Sequence, residues 1–265
     1  MRTVKIALVQ FDSKTGATAE NVARGIEYVR KASEAGADLI AFPELFAGGY
    51  DLAYTAAHRD EVSLSADSPL VQKMAEAAKE NHIYVIMPCS LLEDGKYYNG
   101  EFLFSRAGEI QGTYGKVHLW DEEAKVFSKG DKYQVFETDF GKLGLMICYD
   151  AGFPEASRML ALKGCEVAIV SGAFCHLHWK RWKMYYPARA LENTMYVGAV
   201  NATGGTDGER WFGNSRFYDT KGDCLLEGSL NVEEMNLVEI DLDKVVEERQ
   251  AGCYLTDLRP ETYQY

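Results

Sequence analysis

Long apolar runs, paired cysteines and basic clusters are all missing from this chain, and each absence removes a class of protein. No stretch approaches the roughly 18 consecutive apolar residues that span a bilayer, so no membrane partner is expected. The six cysteines, at 89, 148, 165, 175, 224 and 253, form no CxxC pair and no framework spacing. They read as reduced thiols rather than as disulfides or a zinc ribbon. Positive charge is scarce: 28 Lys and Arg against 40 Asp and Glu leave a formal charge of -12. Without a Lys/Arg-rich run to offset that charge locally, nucleic-acid binding is not expected, and small molecules are the expected partners. There is no GxGxxG, Walker lysine loop, HExxH or GxSxG, which sets aside dinucleotide, phosphate, zinc-protease and serine-elbow chemistry. The N-terminus enters a strand-like stretch with no signal-peptide core, which predicts a cytoplasmic protein.

What is present is a large apolar fraction, 47% of 265 residues, enough for a sizeable core without disulfides or metals. No repeat, low-complexity segment or Pro/Gly/Ser linker divides the chain, so residues 1–265 are expected to form a single domain. Strand and helix periods alternate. Val4 to Val9 reads as a strand, and Thr18 to Ala35 as a helix with Thr18 as N-cap and Gly36 as its stop. Leu39 to Phe42 follows as a buried strand. Ser68 and Pro69 open a second helix with Leu70, Val71, Met74, Ala77 and Ala78 on one face, and a strand at Ile83 to Met87 comes next. Tyr97 to Phe104 and Glu109 to Tyr114 read as a hairpin. Strands at Leu143 to Ile147 and Val167 to Val170 then alternate with helices from Pro154 to Lys163 and Trp179 to Glu192. Two more hairpin-like strands and an acidic tail helix complete an α/β pattern.

Three positions combine an apolar, strand-like approach with a reactive side chain at its end, where open α/β sheets present functional groups. Glu44 follows Leu39-Ile40-Ala41-Phe42-Pro43, and the proline must end regular pairing. Lys116 follows Gly112-Thr113-Tyr114-Gly115. Cys148 stands between Leu143-Gly144-Leu145-Met146-Ile147 and the helix beginning at Pro154. A helix N-terminus and a nearby ammonium would both favour its thiolate, so a lowered pKa is expected. Taken singly, each has a plain reading: a small buried thiol, a surface carboxylate, a solvated ammonium.

The segments Phe42-Pro43-Glu44-Leu45, Tyr114-Gly115-Lys116-Val117-His118-Leu119 and Met146-Ile147-Cys148-Tyr149-Asp150 with Phe153-Pro154-Glu155 resemble, in order and spacing, the three signatures of the nitrilase superfamily of carbon-nitrogen hydrolases. The resemblance extends to Ala188-Arg189-Ala190-Leu191-Glu192-Asn193, Phe212-Gly213-Asn214-Ser215 and Asp257-Leu258-Arg259-Pro260-Glu261. It implies a four-layer α-β-β-α sandwich and a Glu44-Lys116-Cys148 triad. A second pocket glutamate is implied at Glu123, with Glu122 one register away. The arginine common before the lysine is replaced by Gly115, which should loosen the local surface. The implied activity is hydrolysis of a non-peptide carbon-nitrogen bond, with no metal or organic cofactor and with free ammonia as product.

Tyr149-Asp150 resembles the amidase and N-carbamoyl hydrolase branches, leaving nitrile hydrolysis second. Ala151-Gly152 lacks the basic residue that several relatives acting on carboxylate-bearing amides place there, which favours a neutral or cationic substrate. Tyr50, Tyr149, Trp120, Phe174 and Trp179 are candidate substrate-binding residues, with simple core packing as the alternative for the aromatics. A Cys-His hydrolase using His118 and a metal site at Cys175-His176-x-His178 are competing readings. A catalytically silent binding protein on the same fold is a third. By resemblance, the helix after the nucleophile and the tail Tyr254 to Tyr265 imply a homodimer or larger homo-oligomer.

Overall fold

The computed structural model describes residues 1–205, 210–252 and 254–263. It is a four-layer α-β-β-α sandwich built on two sheets.

In spatial order the first sheet is β15 (Glu234–Asp241), β1 (Thr3–Gln10), β2 (Leu39–Ala41), β4 (Tyr84–Glu93), β5 (Lys96–Phe104) and β6 (Ile110–Gly115), with β3 (Ser63–Leu64) pairing beside β4. The second is β14 (Cys224–Glu227), β13 (Arg216–Tyr218), β10 (Tyr196–Asn201), β9 (Val167–Gly172), β8 (Lys142–Ile147) and β7 (Val135–Glu137). A small ribbon pairs β11 (Thr203–Gly204) with β12 (Trp211–Phe212). Each large sheet has a parallel centre, β1-β2-β4 in one and β8-β9-β10 in the other, with antiparallel strands outside it except for the short β3, which runs parallel to β4. The crossover helices that parallel pairing requires are α1 (Thr18–Glu34) and α4 (Pro69–Glu80) on the first sheet, and α5 (Pro154–Leu162) and α6 (Trp179–Asn193) on the second. The short α2 (Leu52–Ala57) and α3 (Arg59–Val62) and the late α7 (Asp243–Ala251) complete the helices. A βαβαβ unit therefore occurs twice without a repeat in the sequence.

Strand alternation sorts the core into layers. Leu8, Ile6, Leu39, Ile86 and Leu103 face Leu145, Ile147, Val167 and Ile169 between the sheets. Ala7, Val9, Ile40, Val85, Phe102 and Phe104 turn the other way, onto Val22, Val29, Val71 and Met74 of α1 and α4. Met146, Ala168 and Val170 meet Leu160, Trp182 and Tyr186 of α5 and α6. Among the described residues no helix is long and apolar enough to cross a membrane, and the five described cysteines are free thiols. Cys253 lies outside the described residues.

Two local expectations are corrected. The N-cap of α1 is Ala17, not Thr18, which is the first helical residue and whose buried hydroxyl finds no partner. Gly115 does not loosen its surroundings. A Cβ there would come within 3.1 Å of the Tyr98 ring, and one on Gly130 would meet the Gly115 carbonyl oxygen at 2.0 Å. The missing side chain instead lets three segments close together, sealed by the 2.8 Å bond from Gly130 N to Lys116 O.

Candidate active site

Glu44, Lys116 and Cys148 stand at the carboxyl ends of β2, β6 and β8, so two come from the first sheet and one from the second. After β2, Pro43 ends the pairing and the chain turns tightly, with Phe46 N donating to Pro43 O and Leu45 at a positive φ of 52°. That turn presents the Glu44 carboxylate to the interior. After β6, Lys116 N donates to Asn99 O on the neighbouring strand, fixing the backbone from which its ammonium projects.

The Lys116 ammonium is fully buried between two buried carboxylates, Nζ lying 2.6 Å from Glu44 Oε1 and 2.8 Å from Glu123 Oε1. Asn99 Nδ2 donates to the same two oxygens, at 2.8 and 3.2 Å. Tyr50 Oη donates to Glu123 Oε1 at 2.6 Å, and the other Glu123 oxygen accepts from Trp120 N at 2.8 Å. Glu122, by contrast, is exposed and pairs with Lys125. Glu123 is thus the glutamate that contacts Lys116, while Glu122 lies at the cavity wall.

Burial opposes the charge on Lys116, but Glu44, Cys148 and Glu123 outweigh it and hold the pKa above the ordinary lysine value. The Glu44 carboxyl is pushed up, first by burial and further by Glu123, against the pull of Lys116. Burial and the same carboxylates raise the Tyr50 hydroxyl far above the usual range, so it serves as a donor. Glu44 Oε2 is buried with no hydrogen-bond partner. An acceptor in that state costs about 1–3 kcal/mol, and it is free to take a proton.

Cys148 leaves β8 with φ at 47°, a left-handed conformation that costs a non-glycine residue about 1–2 kcal/mol. The surroundings over-determine the turn. Asp150, buried, accepts from Ile147 N at 3.2 Å, Tyr114 Oη at 2.7 Å and His118 N at 2.8 Å. Arg189 on α6 donates from Nε to Ala151 O at 2.8 Å and from Nη2 to Gly152 O at 3.2 Å. The thiol expectation is corrected: the Cys148 pKa is raised, not lowered. Burial acts first and Glu44 adds to it, which together outweigh Lys116 and the bond to the Ala173 backbone. The resting group is a neutral thiol beside a base.

Cys148 lines a cavity of about 370 Å³, with Tyr50, Trp120, Tyr149, Phe174, Tyr185 and Trp211 as aromatic walls. Asp121, Glu122, His178 and Arg181 contribute both signs of charge, and Arg181 lies 4.9 Å over the Trp120 ring. Of the five residues expected to bind substrate, Tyr50, Tyr149, Trp120 and Phe174 line this space. Trp179 does not: it packs edge-on against Phe212, 5.0 Å between centroids. The reason is helical direction, since position 179 opens α6 toward the β12 ribbon whereas Tyr185 faces the cavity.

His118 is held by Asp150 at 3.0 Å and by Tyr133 Oη at 3.1 Å and stacks on Phe153 at 3.6 Å, so its ring supports the turn at Cys148. Among the described residues no group of three or more His, Cys, Asp or Glu side chains is placed to hold a metal. His176 packs toward Phe212 and His178 toward Trp120, which parts the proposed ligands. Sequence reasoning missed Asn99, Arg189 as the brace of the turn, and the hydroxyl role of Tyr50. Asn99 and Glu101 alternate on the same face of β5 as the core residue Leu103, and a polar residue on an apolar strand face was the available signal.

A sandwich of this kind, with a cysteine opposite a buried lysine-carboxylate cluster, defines the nitrilase class of hydrolases. Residues 5–250 match the family model described as carbon-nitrogen hydrolase, and the chain belongs to that family. It is 30% identical to the omega-amidase NIT2 of Mus musculus, covering 99% of this chain and 98% of that protein. It is 32% identical to the 2-oxoglutaramate amidase of Bacillus subtilis, covering 97% and 98%. Among solved structures it superposes on an amidase from Nesterenkonia sp. with a TM-score of 0.86 at 26% identity, covering 97% of this chain and 94% of that one. A variant of that amidase carries the acetamide moiety of fluoroacetamide covalently on its active-site cysteine, at 25% identity and a TM-score of 0.86. The chain is thus an enzyme of the carbon-nitrogen hydrolase family, with amidase activity supported by its relatives.

Proposed function

We propose that this enzyme, acting as one domain, hydrolyses a small linear amide or N-carbamoyl compound through a thioester on Cys148, releasing ammonia. The observation that carries the reading is the buried ammonium of Lys116 clamped between Glu44 and Glu123 beside a neutral thiol at a cavity wall. Glu44, through its free Oε2, accepts the Sγ proton as the sulfur attacks the carbonyl carbon. The negative charge that develops on oxygen meets the Lys116 ammonium and the Tyr149 N–H, donors of a kind worth about 3 kcal/mol each. Glu44 then passes the proton to the leaving nitrogen, and ammonia departs as the C–N bond breaks. A water that gives its proton to Glu44 attacks the thioester and restores the thiol. Glu123, held by Tyr50 and Trp120 N, orients the leaving nitrogen and the water.

Aromatic walls with both charge signs nearby suit an uncharged acyl group of modest size. The relatives named omega-amidase and amidase support an amide, those named nitrilase keep a nitrile as the second reading, and the cysteine adduct of the Nesterenkonia amidase supports the covalent step. The outer face of α5 and α6 exposes Met159, Leu162, Met184 and Leu191, which supports self-association through that layer. Light scattering on the purified protein reads the oligomeric state directly.

Ammonia release from a panel of primary amides, N-carbamoyl amines, N-carbamoyl amino acids and nitriles tests the function. Turnover of an amide or N-carbamoyl compound that falls at least about 10³-fold in Cys148→Ala is the expected result. Preference for nitriles, or turnover that survives the substitution, overturns the reading.

A further inference from the structure

The reacting groups are divided between two sheets, so their separation depends on what holds the sheets together beneath them. Most of that contact is apolar and tolerates small sliding, but polar links cross it: Tyr114 Oη donates to Asp150, Tyr196 Oη to Asp241 O, and a third, fully buried pair lies between the strands that carry the site. Glu101 on β5 is fully buried, and its Oε2 accepts a 2.8 Å bond from Ser171 Oγ on β9, also fully buried. Both ends of this link sit one step from the site. Asn99, two residues earlier on the same face of β5, donates to Glu44 and Glu123. Tyr114, the ladder partner of Glu101, donates to Asp150 under the nucleophile turn. Across the gap, Ser171 is the ladder partner of Ile147, the residue before Cys148. Two residues beyond Ser171, Ala173 lines the cavity wall with Cys148.

We propose that Glu101 is a positioning residue, which through Ser171 sets the spacing between the sheet bearing Glu44 and Lys116 and the sheet bearing Cys148. It lies outside the cavity lining, and Asn99 and Tyr114 stand between it and the residues of the site. It acts as a neutral carboxylic acid. Its other oxygen, Oε1, has no partner and carries no compensating cation. Burial, together with the nearby Asp150 and Glu44 carboxylates, keeps the group protonated. An ionised carboxylate there would add a third negative charge to the cluster around a single ammonium. A misplacement of about 1 Å between reacting groups costs on the order of 10²-fold in rate, so a latch of this kind is felt in turnover rather than in binding.

The inference rests on Cys148 as the nucleophile, and Cys148→Ala run alongside separates its failure from the failure of that reading. The test compares Glu101→Ala, Glu101→Gln, Ser171→Ala and the Glu101→Ala/Ser171→Ala double variant, with kcat and KM on the best amide and a thermal melt for each. We expect kcat to fall about tenfold or more in both single alanine variants with KM within about twofold. The neutral isostere Glu101→Gln is expected to stay within about twofold of wild type, and the double variant to match the worse single one because both remove the same bond. The inference is overturned if Ser171→Ala keeps full kcat, if Glu101→Gln is as poor as Glu101→Ala, or if the two losses multiply. Should Glu101→Ala fail to fold, Ser171→Ala and Glu101→Gln still decide the matter.

Discussion

The two sides of the site are prepared in opposite ways. On the first side, Glu44, Lys116, Glu123, Asn99 and Tyr50 form a charged cluster whose side chains bond one another, with Glu44 Oε2 and Asn99 Oδ1 left without a partner, and the backbone delivers it. On the second sheet a single neutral thiol sits on a strained turn, and the bonds belong to its supports, Asp150 and Arg189. In the proposed reaction, a nucleophile held as a thiol keeps no charge in the interior until substrate arrives. A fixed ammonium must keep its charge throughout, so it is surrounded by carboxylates that make burial tolerable. Electrostatics is organised on one side and conformation on the other.

That contrast can be broken from either side. The largest effect is expected from Glu44→Gln, which keeps the shape and the Asn99 contact site but removes the proton acceptor: kcat should fall about 10³-fold. Because the Glu44 carboxyl titrates above its ordinary value, the group is ionised and competent only above that raised pKa. The acid limb of wild-type kcat/KM should therefore lie above about 4.3, the usual glutamate value, and activity should be lost as pH falls through it. Lys116→Ala strands two buried carboxylates and should cost about 3–5 kcal/mol of stability along with activity. His118→Ala, which removes a ring contact to Asp150 and the stack on Phe153 but no group of the carboxylate–ammonium cluster, should retain most of the turnover, and kinetics with urea unfolding on the two variants compares them. Tyr50→Phe removes one hydrogen bond to Glu123 and should lower kcat roughly tenfold. The smallest effect isolates the conformational side: Cys148→Gly should be more stable than Cys148→Ala by about 1 kcal/mol, because glycine accepts the left-handed turn without strain. Thermal melts of the two inactive proteins measure that difference.

Much of the architecture was legible because strand and helix periods were regular. Leu39 to Phe42, closed by Pro43, and Leu143 to Ile147, a short apolar run before a helix start, both lie in the sheets where expected. The helix opened by Ser68 and Pro69 appears as α4, although Ser68 Oγ accepts from Ser65 N rather than from the helix. The late strand β15 was less readable as a partner of β1, since pairing across the length of a chain leaves no local trace. In the site, Glu44, Lys116 and Cys148 could be proposed because each interrupts a strand. The state of the thiol could not: a helix N-terminus is visible in sequence, but desolvation and the approach of Glu44 arise only on folding. Trp179 misled for a related reason. An aromatic next to a site in sequence carries no information about which side of the helix it leaves from.

The pairing of β1 with β15, from Thr3 opposite Asp241 to Gln10 opposite Glu234, has a consequence for synthesis. One edge of β1 can be covered by β2 early, but the other waits until more than two hundred further residues have left the ribosome. Through that interval a strand of Val, Ile, Ala and Leu offers an open row of amide groups to any neighbouring chain. Such distant closure makes for slow folding and a vulnerable intermediate. Yield in cells should consequently depend on chaperone supply and growth temperature more than the stability of the finished sandwich would suggest.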